Sequence, residues 1–271
     1  MISISGMSGN LAMRLVDATE SKEQVLLRSQ PQNAREIEYF RENIDKVDTV
    51  DDLIGDYRLY SFVMKAHDLE DQIFGKAMME KILKSNIEED DALVNKLTDS
   101  RFKELYNTMG FGTDGVGNIN TMLGNWKNRM VDKFIDTQYV NGKADENEAV
   151  GIALEFRRKA ADVSSAYEIL ADADMATFVR TALGLPAVIA GLDIDRQAAL
   201  INERLDLESL QDPEAVEKLV TRYMAISDAT SDLTTNNAAL QILSNNVTSG
   251  SFVPVTIDIT AVTGFSPYKA R

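Results

Sequence analysis

Few residues in this chain are of a kind that does chemistry, and their spacing limits what they can do. The single histidine, His67, excludes a multi-histidine zinc site. The lack of cysteine excludes disulfides, thiolate metal sites and cysteine nucleophiles. Gly110, Gly112 and Gly115 in GFGTDG satisfy G-x-G-x-x-G, but dinucleotide binding needs that pattern between a strand and a helix. A helical pattern precedes it here and no βαβ unit is readable, so it is expected to be a helix C-cap and a flexible inter-repeat loop. The acidic runs Glu88–Asp91, Asp172-x-Asp174 and Asp193-x-Asp195 lack the spaced ligands and the glycine of an EF-hand loop, and read as solvated turns or helix faces. The sequence contains no readable Ser-His-Asp set, phosphate-binding loop or basic stacking platform. No catalytic residue, cofactor or metal ligand is therefore assigned, and the chain is expected not to be an enzyme.

Two aspartates stand apart because they repeat. FRENIDKVDTVDDLIGDYRLYSFVMKAHDL (Phe40 to Leu69) and FRRKAADVSSAYEILADADMATFVRTALGL (Phe156 to Leu185) align without a gap at a constant offset of 116. Eight positions are identical, six of them apolar: Phe40/Phe156, Val47/Val163, Phe62/Phe178, Val63/Val179, Ala66/Ala182 and Leu69/Leu185. Those recur at helical spacing and read as core. The other two are Arg41/Arg157 and Asp56/Asp172. Each aspartate falls on the apolar stripe of a helix expected to run unbroken from a cap to about Ala66 or Ala182. A buried carboxylate needs a partner. Arg101 and Arg222, which align downstream once gaps are allowed, are the natural candidates. Asp56–Arg101 and Asp172–Arg222 are thus expected as structural ion pairs. In the rival reading, Asp56 and Asp172 face each other across a groove between the repeats, as a small-ligand or carboxylate-based catalytic site.

These residues must be positioned by helices. Thr49 with Asp52, and Ser165 with Glu168, are capping-box signals in register in both windows. Helices are expected over residues 10–30, AREIEYFRENI, QIFGKAMMEKILKSN, ALVNKLTDSRFKELYNTM, Ile119 to Thr137, AVIAGLDIDRQAALINERL, EAVEKLVTRYMAISD and Asn237 to Ser244, with VNGKADEN as a turn. SFVPVTIDITAV alternates like a strand, and so does MISIS. The termini are expected to pair as a small ribbon, or the C-terminal strand to add to a partner's sheet or self-associate. The fold class is mainly all-α: two tandem helical repeats with a short β element at the termini. The divisions are an N-terminal segment (1–33), a first repeat (34–112), a connecting loop and helix (113–149), a second repeat (150–228) and a C-terminal helix and tail (229–271).

The chain has 271 residues, a net charge of −15 and 44% hydrophobic residues, enough for a substantial core. Such acidity repels phosphate backbones and anionic lipid, so no nucleic-acid partner is expected. No apolar run reaches the roughly 18–20 residues of a membrane span. MISISGMSGNLAMRLV has no Sec-type core or cleavage site. A short, weakly charged, mobile start would suit type III export, so the chain is expected to be cytoplasmic, or exported without a Sec signal.

DDLIGDYRLYSFVMKAHDL, KILKSNIEEDDALVNKL and TDSRFKELYNTMGF, between Glu36 and about Phe111, resemble a bacterial family known as domain of unknown function 1217. The second half, from YEILADADMATFVRTALGLP to DLESLQDPEAVEKLVTRY, looks like a more diverged second copy. The resemblance implies a helical fold. Because family members are often encoded among flagellar genes in alphaproteobacteria, it also implies flagellar or export partners. His67-Asp68-Leu69 departs from the family's usual Phe-Gly-Leu, which Leu183-Gly184-Leu185 approximates. Together these features point to a non-enzymatic structural or adaptor protein that works through protein–protein surfaces.

Overall fold

The computed structural model describes residues 2–230. Met1–Ser227 form one compact unit; of a second, Asp228–Arg271, only residues 228–230 are described. The strand expected over SFVPVTIDITAV, the helix expected around Asn237 to Ser244 and a C-terminal self-association strand lie outside the described residues. Among those residues no sheet forms, only an isolated bridge between Thr49 and Val116.

The helices follow the apolar periodicity, but break more often than the pattern implies. Helix α1 (Gly9–Ser29) ends at Gln30, and Pro31 opens α2 (Pro31–Asn43) at the first helical position, where its missing N–H leaves no bond unmade. Then come α3 (Val50–Gly55), α4 (Tyr57–Ala66), α5 (Lys76–Leu83), the single turn α6 (Leu93–Lys96) and α7 (Ser100–Met109). The expected single helix ALVNKLTDSRFKELYNTM is thus two, because the Asp99 carboxylate accepts from the Arg101 N–H and starts a new helix. Gly110 ends α7 in the left-handed conformation, as a C-cap glycine does.

Helix α8 (Gly124–Glu146) continues through VNGKADE, expected to be a turn. Trp126, Met130, Val131, Phe134, Ile135, Tyr139 and Val140 give it a broad buried stripe, which packs on α1, α4 and α9 (Glu148–Lys159). A Cβ at Gly151 of α9 would overlap Ala144, so glycine allows α8 and α9 to approach closely. The chain continues as α10 (Ala166–Ala171), α11 (Ala173–Ala182), α12 (Ile194–Arg204) and α13 (Pro213–Thr230), with short 3-10 turns between.

The start of the chain is pinned, contrary to the mobile segment expected, and residues 2–5 form no strand. Ile4 is fully buried and its N–H donates to Glu146 Oε2 (2.5 Å). The Lys143 ammonium donates to the Ile2 carbonyl (2.9 Å) and pairs with Glu23 Oε2 (2.8 Å), both side chains almost wholly buried. MISIS therefore satisfies its backbone on helix side chains instead of on a second strand.

Candidate functional site

Asp56 and Asp172 are not mid-helix residues. Each breaks a helix in two and caps the second half. Asp56 Oδ1 accepts from the N–H groups of Arg58 (3.0 Å) and Leu59 (3.1 Å) at the start of α4. Asp172 Oδ1 does the same for Asp174 and Met175 (both 3.0 Å) at the start of α11. A capping carboxylate satisfies orphan helix donors, so it needs no buried arginine. Among the described residues neither expected Asp–Arg pair forms. Asp56 Oδ2 accepts from the Tyr39 hydroxyl (2.7 Å), with the Arg58 guanidinium 3.7 Å from the Tyr39 ring centre. Asp172 Oδ2 accepts from the Lys159 ammonium (2.8 Å). Arg101 donates from Nε and Nη2 to both oxygens of Asp99 in three contacts (2.8–3.1 Å) and from Nη1 to the Asp68 carbonyl (2.5 Å), and Arg222 lies at the surface near Gly184.

The structure nevertheless brings Arg101 and Asp172 to one place. They line a cleft with two lobes, about 460 and about 410 Å³, which share Asp68, Arg101, Glu155, Lys159 and Asp172. One wall is the end of α4 with α7; the others are α8, α9 and the α10–α11 break. Asp56 and Arg222 line neither lobe, so the rival acid pair, Asp56 facing Asp172, is not formed.

The cleft's cations are already engaged. Lys159 pairs with Glu155 (2.6 Å) and Asp172. Burial lowers its pKa, but the two carboxylates outweigh burial and hold it above the ordinary lysine value. Burial likewise pushes Asp172 up, and Lys159 with the capping N–H groups overcomes it, so this carboxyl lies below its ordinary range. Arg101 is raised, first by its hydrogen bonds to Asp99. Lys133 pairs with Glu104, and Arg158 with Glu20 (2.7 Å) and Asp136 (2.5 Å). Asp174 differs. Burial, then the charges of Asp172, Glu155 and Glu148, raise its pKa.

His67 is the C-cap of α4; it lines the larger lobe and is 2% exposed. Its Nδ1 lies 2.9 Å from the Val63 carbonyl. A carbonyl only accepts, so Nδ1 carries the proton and Nε2 is a lone-pair acceptor. Nε2 is buried without a hydrogen-bond partner, and burial pushes the imidazole pKa down from 6.5 to about 4. The next residue, Asp68, holds a left-handed φ of 55°. Its carboxylate accepts from Asn141 Nδ2 (2.7 Å) and Arg101 Nη1 (3.2 Å), contacts that offset the backbone strain. Sequence reasoning missed the cleft because Glu104, Lys133, Glu155 and Lys159 come from three helices. The one available signal was the departure of His67-Asp68 from Leu183-Gly184.

A second exposed feature is the loop GFGTDGVGN and its continuation. It is fastened at several points: Gly117 N–H to Asp48 carbonyl (2.8 Å), Gly112 N–H to Gly117 carbonyl (3.0 Å), Asn118 Nδ2 to Met109 carbonyl (3.0 Å) and Thr121 Oγ1 to Asn118 carbonyl (3.0 Å). On this scaffold Ile119 is 77% and Met122 68% exposed, with Val116 and Leu123 about half exposed beside them in sequence.

Among the described residues no helix is long and apolar enough to cross a membrane, and no three His, Asp or Glu side chains converge to hold a metal ion. No curated protein matches the sequence. A crystal structure of protein AGR_C_984 from Agrobacterium tumefaciens is similar: 34% identity, a TM-score of 0.74, and coverage of 84% of this chain and 96% of that one. A family model described as "Protein of unknown function (DUF1217)" matches residues 66–216 as one continuous stretch. With more than half its length inside that match, the chain belongs to the DUF1217 family.

Proposed function

We propose that this chain is a non-enzymatic helical adaptor, acting through protein–protein surfaces in a flagellar or export setting. The observation that carries the reading is the fastened loop at 110–123. Burying Ile119 and Met122 against a partner would be favourable by roughly 25 cal/mol per Å² of apolar surface, with little ordering cost for a loop already held. The partner face would be apolar with a basic rim, complementing a chain of net charge −15. The resemblance to a family whose members occur among flagellar genes supplies the setting, whether in the cytoplasm or after export without a Sec signal. The two aligned windows are read as copies of one capped unit, on the grounds that both place Asp at a helix start and a Phe pair beneath it.

The test is capture of flagellar and export components by the full chain in flagellated cells, beside a variant carrying Ile119→Asp and Met122→Asp. The wild type is expected to retain a basic-rimmed flagellar or export protein and the variant to lose it by about tenfold or more. Equal capture by both, or intact motility after deletion of the gene, would defeat the reading.

A further inference from the structure

We propose that the cleft is a binding site for alkylammonium groups, with one N–H donated to His67 Nε2 and the positive charge held by the surrounding carboxylates. This goes beyond the adaptor reading and does not depend on it. Two independent observations converge. His67 lines the larger lobe, and its Nε2 is a buried acceptor without a donor, because Nδ1–H is committed to the Val63 carbonyl. A buried acceptor left without a donor carries a desolvation penalty, which a bound donor removes. Separately, the residues lining the two lobes include ten carboxylates against four Lys and Arg side chains. Among the described residues, Lys133, Arg101, Arg158 and Lys159 are all paired, while Asp174 and Glu148 form no ion pair.

The ligand must therefore donate hydrogen bonds and carry positive charge. An anion meets repulsion, and a neutral acceptor has nothing to offer a lone pair. A divalent cation fits poorly, because no three His, Asp or Glu groups converge among the described residues. A primary ammonium satisfies both demands: three donors and one charge. The larger lobe also offers apolar contacts, from Val140, Val163 and Met175, to the alkyl stem. The carboxylate surplus of the second lobe, around Asp174 and Glu148, suits a second ammonium on the same molecule. This chemistry has two sources, a free diamine or lysine side chains of a peptide.

Because His67 is the only histidine, 15N-histidine labelling of the full chain gives one imidazole to follow by NMR. The probes are 1,4-diaminobutane and an acetylated Lys-Gly-Lys amide, each at constant ionic strength, with magnesium chloride as the charge control. The expected result is a saturable shift of the Nε2 resonance with at least one amine probe. By calorimetry, His67→Leu is expected to weaken that binding about tenfold and Asp174→Asn about threefold. A response to the diamine alone assigns the site to free amines; a response to the peptide alone assigns it to lysine side chains. No shift with either probe up to about 10 mM overturns the proposal, as does an equal effect of magnesium, or unchanged affinity in His67→Leu. If His67→Leu does not fold, the wild-type Nε2 shift and Asp174→Asn decide the matter alone.

Discussion

The windows Phe40–Leu69 and Phe156–Leu185 solve the same packing problem on different neighbours. In the first, Phe40 stacks on Phe62 (ring centres 4.3 Å apart), Phe62 on Phe134 of α8 (4.4 Å), and Arg41 donates to Asn128 of α8 (2.9 Å). In the second, Phe156 stacks on Phe178 (3.8 Å), Phe178 on Tyr223 of α13 (4.5 Å), and Arg157 donates to Glu217 of α13 (2.9 Å). In each case the docking helix offers a polar residue and an aromatic six positions apart. In this respect α13 plays for the second window the part that α8 plays for the first. By this packing Tyr223 of α13 stands where Phe134 of α8 does, a different match from the alignment of Arg101 with Arg222.

The sharpest way to break this comparison is to remove the central ring of each stack. Phe62 and Phe178 are both fully enclosed. Phe62→Ala and Phe178→Ala should each cost about 3–5 kcal/mol in urea denaturation, through lost apolar burial and the cavity left behind. If one costs far less than the other, the two stacks are not equivalent supports, and the shared role of α8 and α13 fails.

A second contrast lies at the helix ends, where His67 stands opposite Leu183 and Asp68 opposite Gly184. Asp68 and Gly184 both take a left-handed φ, 55° and 65°, so the backbone is shared and only the side chains differ. The His67 imidazole pKa is pushed down from 6.5 to about 4 by burial, with Lys133 working in the same direction and Glu104 against it. The unfolded chain then binds a proton near pH 6.5 and the folded chain only near pH 4. Stability is fully present above 6.5 and falls as pH drops through that window, by about 3 kcal/mol in all. His67→Leu, copying the second window, should remove that loss between pH 6.5 and 4.5, read by denaturation across the range. The cleft carboxylates with lowered pKa, Asp99, Asp172 and Glu104, act below it. An identical slope in wild type and variant would mean that His67 is not the group held neutral.

How far the sequence carried these features depends on distance along the chain. Thr49 and Asp52 form the capping box as expected, Thr49 N–H to Asp52 Oδ2 (2.9 Å) and Asp52 N–H to Thr49 Oγ1 (3.1 Å), because a cap is a contact between near neighbours. Ser165 caps Glu168 N–H (3.3 Å), but the Glu168 carboxylate reaches one residue further back, to the Ser164 N–H (2.7 Å). The all-α core was legible for the same reason, since apolar periodicity is local. The break at Asp56 was not, because an aspartate with helical residues on both sides is written alike whether it caps a helix or interrupts one. The cleft was least legible. Lys159 meets Asp172 across 13 positions, Arg101 meets Asp68 across 33, and Glu104 meets Lys133 across 29.

The two capping aspartates offer the smallest and most discriminating test. Asparagine caps a helix about as well as aspartate, so replacing one by the other keeps the cap, removes the charge and turns the second oxygen from an acceptor into an NH2 donor. At Asp56 the remaining partner is a neutral hydroxyl, Tyr39, in a half-exposed setting beside Arg58. Asp56→Asn should therefore change stability by no more than about 0.5 kcal/mol. At Asp172 the charge faces Lys159, whose ammonium keeps only Glu155 once Asp172 is neutral. Part of a partly buried pair's support is lost, and Asp172→Asn should cost about 1–2 kcal/mol at pH 7 in the same denaturation assay. Equal effects at the two sites would mean that both aspartates act as caps alone. A larger loss at Asp172 ties the second aspartate to the cleft, where the same residue type at the same helix position has a charged neighbour that the first lacks.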